Sequence, residues 1–324
     1  MTAPPDYLRN RTWQATLALL LAATLFAFHA PITEMVREWA TKADYSHGFF
    51  VAPFALYLLW TRRALMPRTV EWPDSRGLVL IVIGVAIAFV AGRTNYAKEL
   101  IQGLGLILAL AGVIVFQFGR YALRWAWPGL VFLIFMVKMP DKFEFAFAFK
   151  LQQIASQSSN LLLQTMGYPS YVGGDRGTVI TIHEMKLGVE KACSGLSMVL
   201  TFAAVATAFA LMVKRPVLDR VIILASALPI AIVVNILRIT ATALVYVAGW
   251  EKLGKFLFHD LAGWLMMPAA ILFLWGVMKV LDWLFTTPAP PERDNMIRLA
   301  TQTATADWQM PAGGPPETDR RRPR

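Results

Sequence analysis

The chain has 324 residues, 56% of them hydrophobic and only 16% charged, with a mean hydropathy of +0.50. Soluble domains carry about 25% charged residues, so this balance excludes an ordinary soluble globule and points to a polytopic helical membrane protein. A single cysteine excludes an intramolecular disulfide and any multi-cysteine zinc or iron–sulfur site. The net charge of +10 does not imply nucleic-acid binding, because the basic residues fall mainly in short loops and the C-terminal tail.

In chain order, residues 1–12 are expected as a short cytoplasmic N-terminus. Eight candidate spans follow, at about 13–30, 48–61, 77–92, 100–118, 125–139, 194–213, 221–247 and 261–285. The run from Trp13 to Phe28 lacks a small-residue cleavage site and is expected as an anchor, not a removed signal. Loops alternate in basic content. One set holds Arg9 and Arg11, then Arg62, Arg63, Arg68 and Arg76, then Arg120 and Arg124, then Lys214, Arg215 and Arg220, and finally the arginine-rich tail. The positive-inside rule therefore places both termini in the cytoplasm and the stretch 140–192 outside. Within that stretch, Phe143 to Met166 is helical in pattern, with Phe143, Phe145, Phe147 and Phe149 suited to lying against the bilayer. Turn residues at 173–177 and short β-prone pieces, Thr178–Ile182 and Lys186–Val189, predict a small β-hairpin leading into Cys193. The membrane domain is thus expected over 13–285. The tail, 286–324, is rich in Pro, Thr, Ala and Arg after Pro288 and reads as disordered.

The chemistry-bearing residues gather on the outer side. Cys193 opens span six, where the unpaired amides and the dipole of a helix start favour the nucleophilic thiolate. Span seven runs outward, and at ~1.5 Å per residue Arg238 lies about 26 Å along it. An intramembrane charge costs ~2.5–3.5 kcal/mol on the insertion scale, which makes Arg238 a functional candidate by default. His259 occupies the next outer loop. A thiol, an imidazole and a guanidinium suffice for acyl transfer: attack on a carbonyl, proton exchange, and stabilisation of the oxyanion by a cation that does not deprotonate. Asn235, one helical turn before Arg238, can orient it or join helices. Ser194 and His47 are further supporting candidates; His47 can hydrogen-bond the site or cap span two. Each residue also has a bland reading: an inert core cysteine, an arginine snorkelling to the interface, an interfacial histidine. His29, His47, His183 and His259 show no metal-ligand spacing, and no phosphate-binding glycine loop is present, so no cofactor or metal is expected.

At these residues the chain resembles the exosortase/archaeosortase family of membrane-embedded cysteine transpeptidases. Ala192-Cys193-Ser194-Gly195-Leu196 is similar to the family's cysteine box, Asn235-Ile236-Leu237-Arg238-Ile239 to its Asn-x-x-Arg box, and Phe258-His259-Asp260 with Gly263 to its histidine box. Tyr45-Ser46-His47-Gly48-Phe49, Leu56 to Trp60, and Phe132 to Met136 ending at Met139-Pro140 are similar as well, so the resemblance covers about residues 35–285. It implies a bacterial inner-membrane protein-sorting enzyme with its active site at the periplasmic face. Its substrates would be C-terminally anchored exported proteins that carry a motif such as Pro-Glu-Pro, a transmembrane helix and a basic cluster. By position, Cys193 would be the nucleophile, His259 the proton-transfer group and Arg238 the oxyanion or substrate stabiliser. A hairpin at 173–190 could guide the extended motif by strand addition. The alternatives are a transporter lined by Asn235 and Arg238, or a scaffold subunit of an envelope-polysaccharide system; the exopolysaccharide machinery is a possible partner and nucleic acid is not.

Overall fold

Two long apolar helices anchor the architecture, Lys98–Phe118 and Val217–Val247, each long and apolar enough to cross a membrane by itself. The computed structural model describes residues 6–67, 69–70, 72–94, 97–174, 176–188, 195–213, 215–250, 271–273, 275–280 and 282–283. Within them the chain is mostly helical. α1 (Arg11–Ala27) starts at Asn10, whose side chain accepts hydrogen bonds from the amides of Thr12 and Trp13, satisfying donors that a helix start leaves open. α2 (His29–Thr41) follows, then α3 (Gly48–Thr61) and α4 (Ser75–Ala91), the last capped by Asp74. α5 is Lys98–Phe118; α6 (Leu123–Phe132) continues as a 3-10 turn through Met136. α7 is Asp141–Thr165, α8 Leu196–Met212 and α9 Val217–Val247.

Helices occupy most of the expected spans among the described residues, and two pairs of them are sharply bent. α1 and α2 bend by 69° at Phe28, and the pair Arg120–Met136 and Asp141–Thr165 bends by 78°; counting each bent pair as one span gives up to four among the described residues, by length and composition. α3, α4 and α8 are apolar but only 14 to 17 residues long, short of the ~20 residues that cross ~30 Å of hydrocarbon unaided. The expected first span, 13–30, therefore ends early, and the helix that continues past Phe28 carries Glu34, Arg37 and Glu38 in a new direction. Most of the expected eighth span, 261–285, lies outside the described residues, as does the tail.

The tightest packing is the α4–α5 hairpin, where glycines let two backbones meet. A Cβ on Gly84 would lie 2.6 Å from the Gly105 carbonyl oxygen, and one on Gly112 would lie 2.7 Å from the Gly77 carbonyl oxygen. Small residues at such positions replace the hydrophobic drive that lipid removes.

The segment 143–166 is helical as expected, but one face of it is enclosed by protein. Ala148, Ala155, Ser156, Ser159 and Leu163 of α7 are buried, and Ser159 Oγ donates to the Ile236 carbonyl of α9 at 3.2 Å. Phe143, Phe145 and Phe147 remain exposed. The expected hairpin gains a third strand: β1 (Ser170–Gly173), β2 (Val179–Ile182) and β3 (Met185–Gly188) form an antiparallel meander in the order β1-β2-β3. Its inner face, Ile180, Ile182 and Leu187, packs with Ala155 and Leu163 of α7 and with Ile239 and Ala243 of α9.

Candidate active site

The site is built where α8 begins, against one turn of α9. Asn235 and Arg238 share a face of α9 at the i, i+3 spacing. Arg238 Nη2 donates to Asn235 Oδ1 at 2.8 Å, while Asn235 itself is only 2% exposed. Thr242 Oγ1 donates to the Arg238 carbonyl at 2.8 Å. The guanidinium is thus held by its own helix, with a fixed charge whatever the pH.

Gly195 seats α8 on this pair. Its φ is +82°, and a Cβ there would lie 2.8 Å from Asn235 Nδ2. Only glycine meets both conditions without strain. Leu196, the first residue of α8, packs on Ala148 and Leu151 of α7 and is fully buried. Cys193, Ser194 and His259 lie outside the described residues. In the sequence Cys193 precedes Gly195 by two residues.

A second wall comes from the segment before α3, whose 3-10 turn Ala43–Tyr45 packs on α8. This segment clamps the bend between α6 and α7. Trp39 Nε1 donates to Met136 O at 3.0 Å. Met139 N donates to Tyr45 Oη at 3.2 Å, and Tyr45 Oη donates to Glu144 Oε2 at 3.1 Å. Lys138 Nζ pairs with Asp141 at 2.7 Å and with Glu38 at 3.9 Å. Tyr45 and Glu144 are each 2% exposed. Burial, and next the Glu144 carboxylate, push the Tyr45 phenol above its ordinary range, so it serves as a neutral donor.

His47 belongs to the same clamp. Its Nε2 bonds the Phe135 carbonyl at 3.1 Å, which requires the proton on that nitrogen. The residue immediately precedes α3 without capping it, and burial lowers its pKa despite the backbone carbonyls of Phe135 and Asp44. It lines the end of an apolar groove of about 470 Å³ between α3 and α8, with Phe50, Phe54, Thr201 and Ala204. His183 takes the first position of the β2–β3 turn, exposed, with φ 54°, a conformation histidine tolerates better than most residues. Among the described residues, no group of three or more His, Cys, Asp or Glu side chains could hold a metal ion.

Glu144 was not legible as a site element. Its one signal in the sequence is a lone carboxylate inside the phenylalanine run 143–149. The buried Tyr45–Glu144 bond is a long-range pairing that no local pattern announces.

Apolar helices in number, a guanidinium fixed beside a helix start, and a small sheet over that turn define a helical membrane protein with a polar site at one end of the bundle. The chain matches the family model described as transmembrane exosortase (Exosortase_EpsH) over residues 39–276 and belongs to that family. The match begins at Trp39 of the clamp and takes in the residues of the site described above except Glu38. No curated protein and no solved structure matches the chain.

Proposed function

We propose that this chain is a membrane-embedded cysteine transpeptidase that cleaves the C-terminal sorting signals of exported proteins. The carrying observation is the seating of Gly195 on Asn235, one turn from Arg238, two residues after the sole cysteine. In this reading the Cys193 thiolate attacks the scissile carbonyl and forms a C–S bond. Arg238, aligned by Asn235, stabilises the oxyanion. The C–N bond then breaks, and the leaving amine takes a proton from the His259 imidazolium. Water or an acceptor amine attacks the resulting thioester, returns a proton to His259, and releases the thiolate. Ser194 and His47 act as supports, His47 by holding α3 to the α6 end and not as the exchanging base, since its Nε2 proton is committed to Phe135.

The membrane arrangement proposed with it has eight crossings over 13–285, both termini in the cytoplasm, and the site at the outer face of a bacterial inner membrane. The family and the apolar helices, two to four of which could cross by length and composition among the described residues, support its membrane setting. So does the alternation of basic loops. Substrates would present an extended motif such as Pro-Glu-Pro above their own transmembrane helix and basic cluster; the apolar groove at His47 offers lateral room beside such a helix.

The test is processing of an exported reporter ending in a Pro-Glu-Pro segment, an apolar helix and a basic cluster, in cells carrying this chain or its variants. Cys193→Ala, Cys193→Ser and His259→Ala abolish processing. Arg238→Lys lowers it by about 10²–10³-fold, the usual loss on removing an oxyanion donor. Processing that persists in a correctly inserted Cys193→Ala protein overturns the reading.

A further inference from the structure

The small sheet has two unlike edges. Ile182 and Met185 flank a two-residue turn, which makes them a hydrogen-bonded pair of the ladder. The alternation of an antiparallel pair then directs the amide and carbonyl of Leu187 toward β2, and those of Lys186 and Gly188 away from it. On the other side the same alternation turns Ser170 and Val172 outward from β1. That edge is covered: α7 packs on β1, and Gln164 Nε2 donates to the Ser170 carbonyl at 2.7 Å. Lys186 and Gly188 are exposed, and among the described residues no strand pairs with the outer edge of β3.

That open edge stands beside the proposed chemistry by two independent routes. Through the fold, β3 is rigidly seated, because Ile180 and Ile182 of the neighbouring strand are fully buried on Ile239 of α9, the residue after Arg238. Through the chain, Cys193 follows Gly188 by five residues, at most ~18 Å of extended backbone. We propose that the outer edge of β3 docks the extended segment of the substrate as a fourth strand, with Lys186 and Gly188 supplying the backbone hydrogen bonds that lay it across the site. This rests on the transpeptidase reading. Strand addition recognises a peptide by its main chain, so the occupant is an extended, non-helical segment, neutral or acidic beside the Lys186 side chain. A second copy of this chain is a poorer fit: the edge is four residues long, and a lysine on it is a device that discourages edge-to-edge pairing.

Backbone recognition is separable from side-chain recognition at Lys186. Proline removes the outward amide yet leaves the β2–β3 bonds intact, since those belong to Met185 and Leu187. With the purified full-length protein and the Pro-Glu-Pro reporter, Lys186→Ala lowers kcat/KM by less than about fivefold. Lys186→Pro lowers it by about fiftyfold or more, mainly through KM, as expected for lost main-chain bonds. Iodoacetamide alkylation of Cys193, the sole thiol, proceeds at the parental rate in both. Equal activity of the two variants overturns the proposal. As a second measurement that needs no proline, a photo-crosslinking benzoylphenylalanine at Lys186 in a Cys193→Ala background captures the reporter segment preceding its apolar helix. Capture of another copy of this chain, or of the apolar helix itself, overturns it. Should Cys193→Ala still process the reporter, the transpeptidase reading falls; should Cys193→Ala be inert while the crosslink misses the segment, only the docking edge falls.

Discussion

The α4–α5 hairpin and the α7–α8–α9 region solve the same problem, burying helices in an apolar surrounding, by opposite means. In the hairpin, Gly77, Gly84, Gly105 and Gly112 bring backbone onto backbone, with Gln102 Nε2 of α5 donating to the Ala88 carbonyl of α4 at 3.4 Å. Around α9 the buried surface includes Asn235, Ser156, Ser159, Thr240 and Thr242. Buried polar groups cost free energy unless each finds a partner, and an all-apolar interface would hold helices as well. Their concentration beside the start of α8 marks the half of the molecule shaped for more than stability.

One substitution type, placed in each region, is the strongest way to break this contrast. Gly195→Ala adds a Cβ at φ +82°, 2.8 Å from Asn235 Nδ2. The left-handed backbone alone costs about 1–2 kcal/mol, and the displaced amide releases its hold on Arg238. Reporter processing falls by about 10²-fold, the usual loss for a misplaced catalytic group, while the protein still inserts and unfolds cooperatively. Gly84→Ala, with its Cβ 2.6 Å from the Gly105 oxygen, does the reverse. It forces α4 and α5 apart and lowers the thermal midpoint in detergent by the equivalent of about 1–3 kcal/mol, with processing per folded molecule kept. Equal effects on activity would erase the distinction.

The next effect sharpens the role of the clamp. Glu144→Ala leaves the Tyr45 hydroxyl buried without its acceptor, a penalty of about 1–3 kcal/mol. Glu144→Gln keeps an acceptor oxygen in place and recovers most of the stability. Chemical denaturation of the two proteins beside Tyr45→Phe separates the bond from the charge. If Glu144→Gln is as unstable as Glu144→Ala, the carboxylate contributes through charge and not through the Tyr45 bond.

These regions also differ in how far the sequence revealed them. α5 and α9 are long and mainly apolar, and the pairing of Asn235 with Arg238 follows from a three-residue spacing on one helix. The bend at Phe28 was hidden because hydropathy persists through Phe28 while the direction changes, and hydropathy does not carry direction. β1 escaped because Ser170-Tyr171-Val172-Gly173 is too short to show alternation by itself; it is a strand only because Ile180 and Ile182 of β2 stand opposite Val172 and Ser170. The buried face of α7 was masked by its phenylalanines, which advertise a lipid contact. The pairing of Tyr45 with Glu144 spans the whole first half of the fold, and such contacts leave no local trace.

The smallest effect tests whether ionic contacts near the site share the value of its hydrogen bonds. Lys42 and Lys138 both pair with Glu38, but the Lys42 side chain is 44% exposed and that of Lys138 only 9%. Exposed i, i+4 pairs are worth about 0.3–0.5 kcal/mol and weaken with salt. Lys42→Ala therefore changes stability by less than about 0.5 kcal/mol, and less again in 0.5 M salt. Lys138→Ala removes the partner of both Asp141, 80% exposed, and Glu38, 14% exposed, at the bend between α6 and α7; its cost is the larger, and the share owed to the sheltered Glu38 persists in salt. A salt titration of denaturation midpoints for the two variants measures both. Equal, salt-sensitive losses would mean that Lys138 behaves as a surface charge and that the bend is held by the hydrogen bonds of Trp39, Tyr45 and His47.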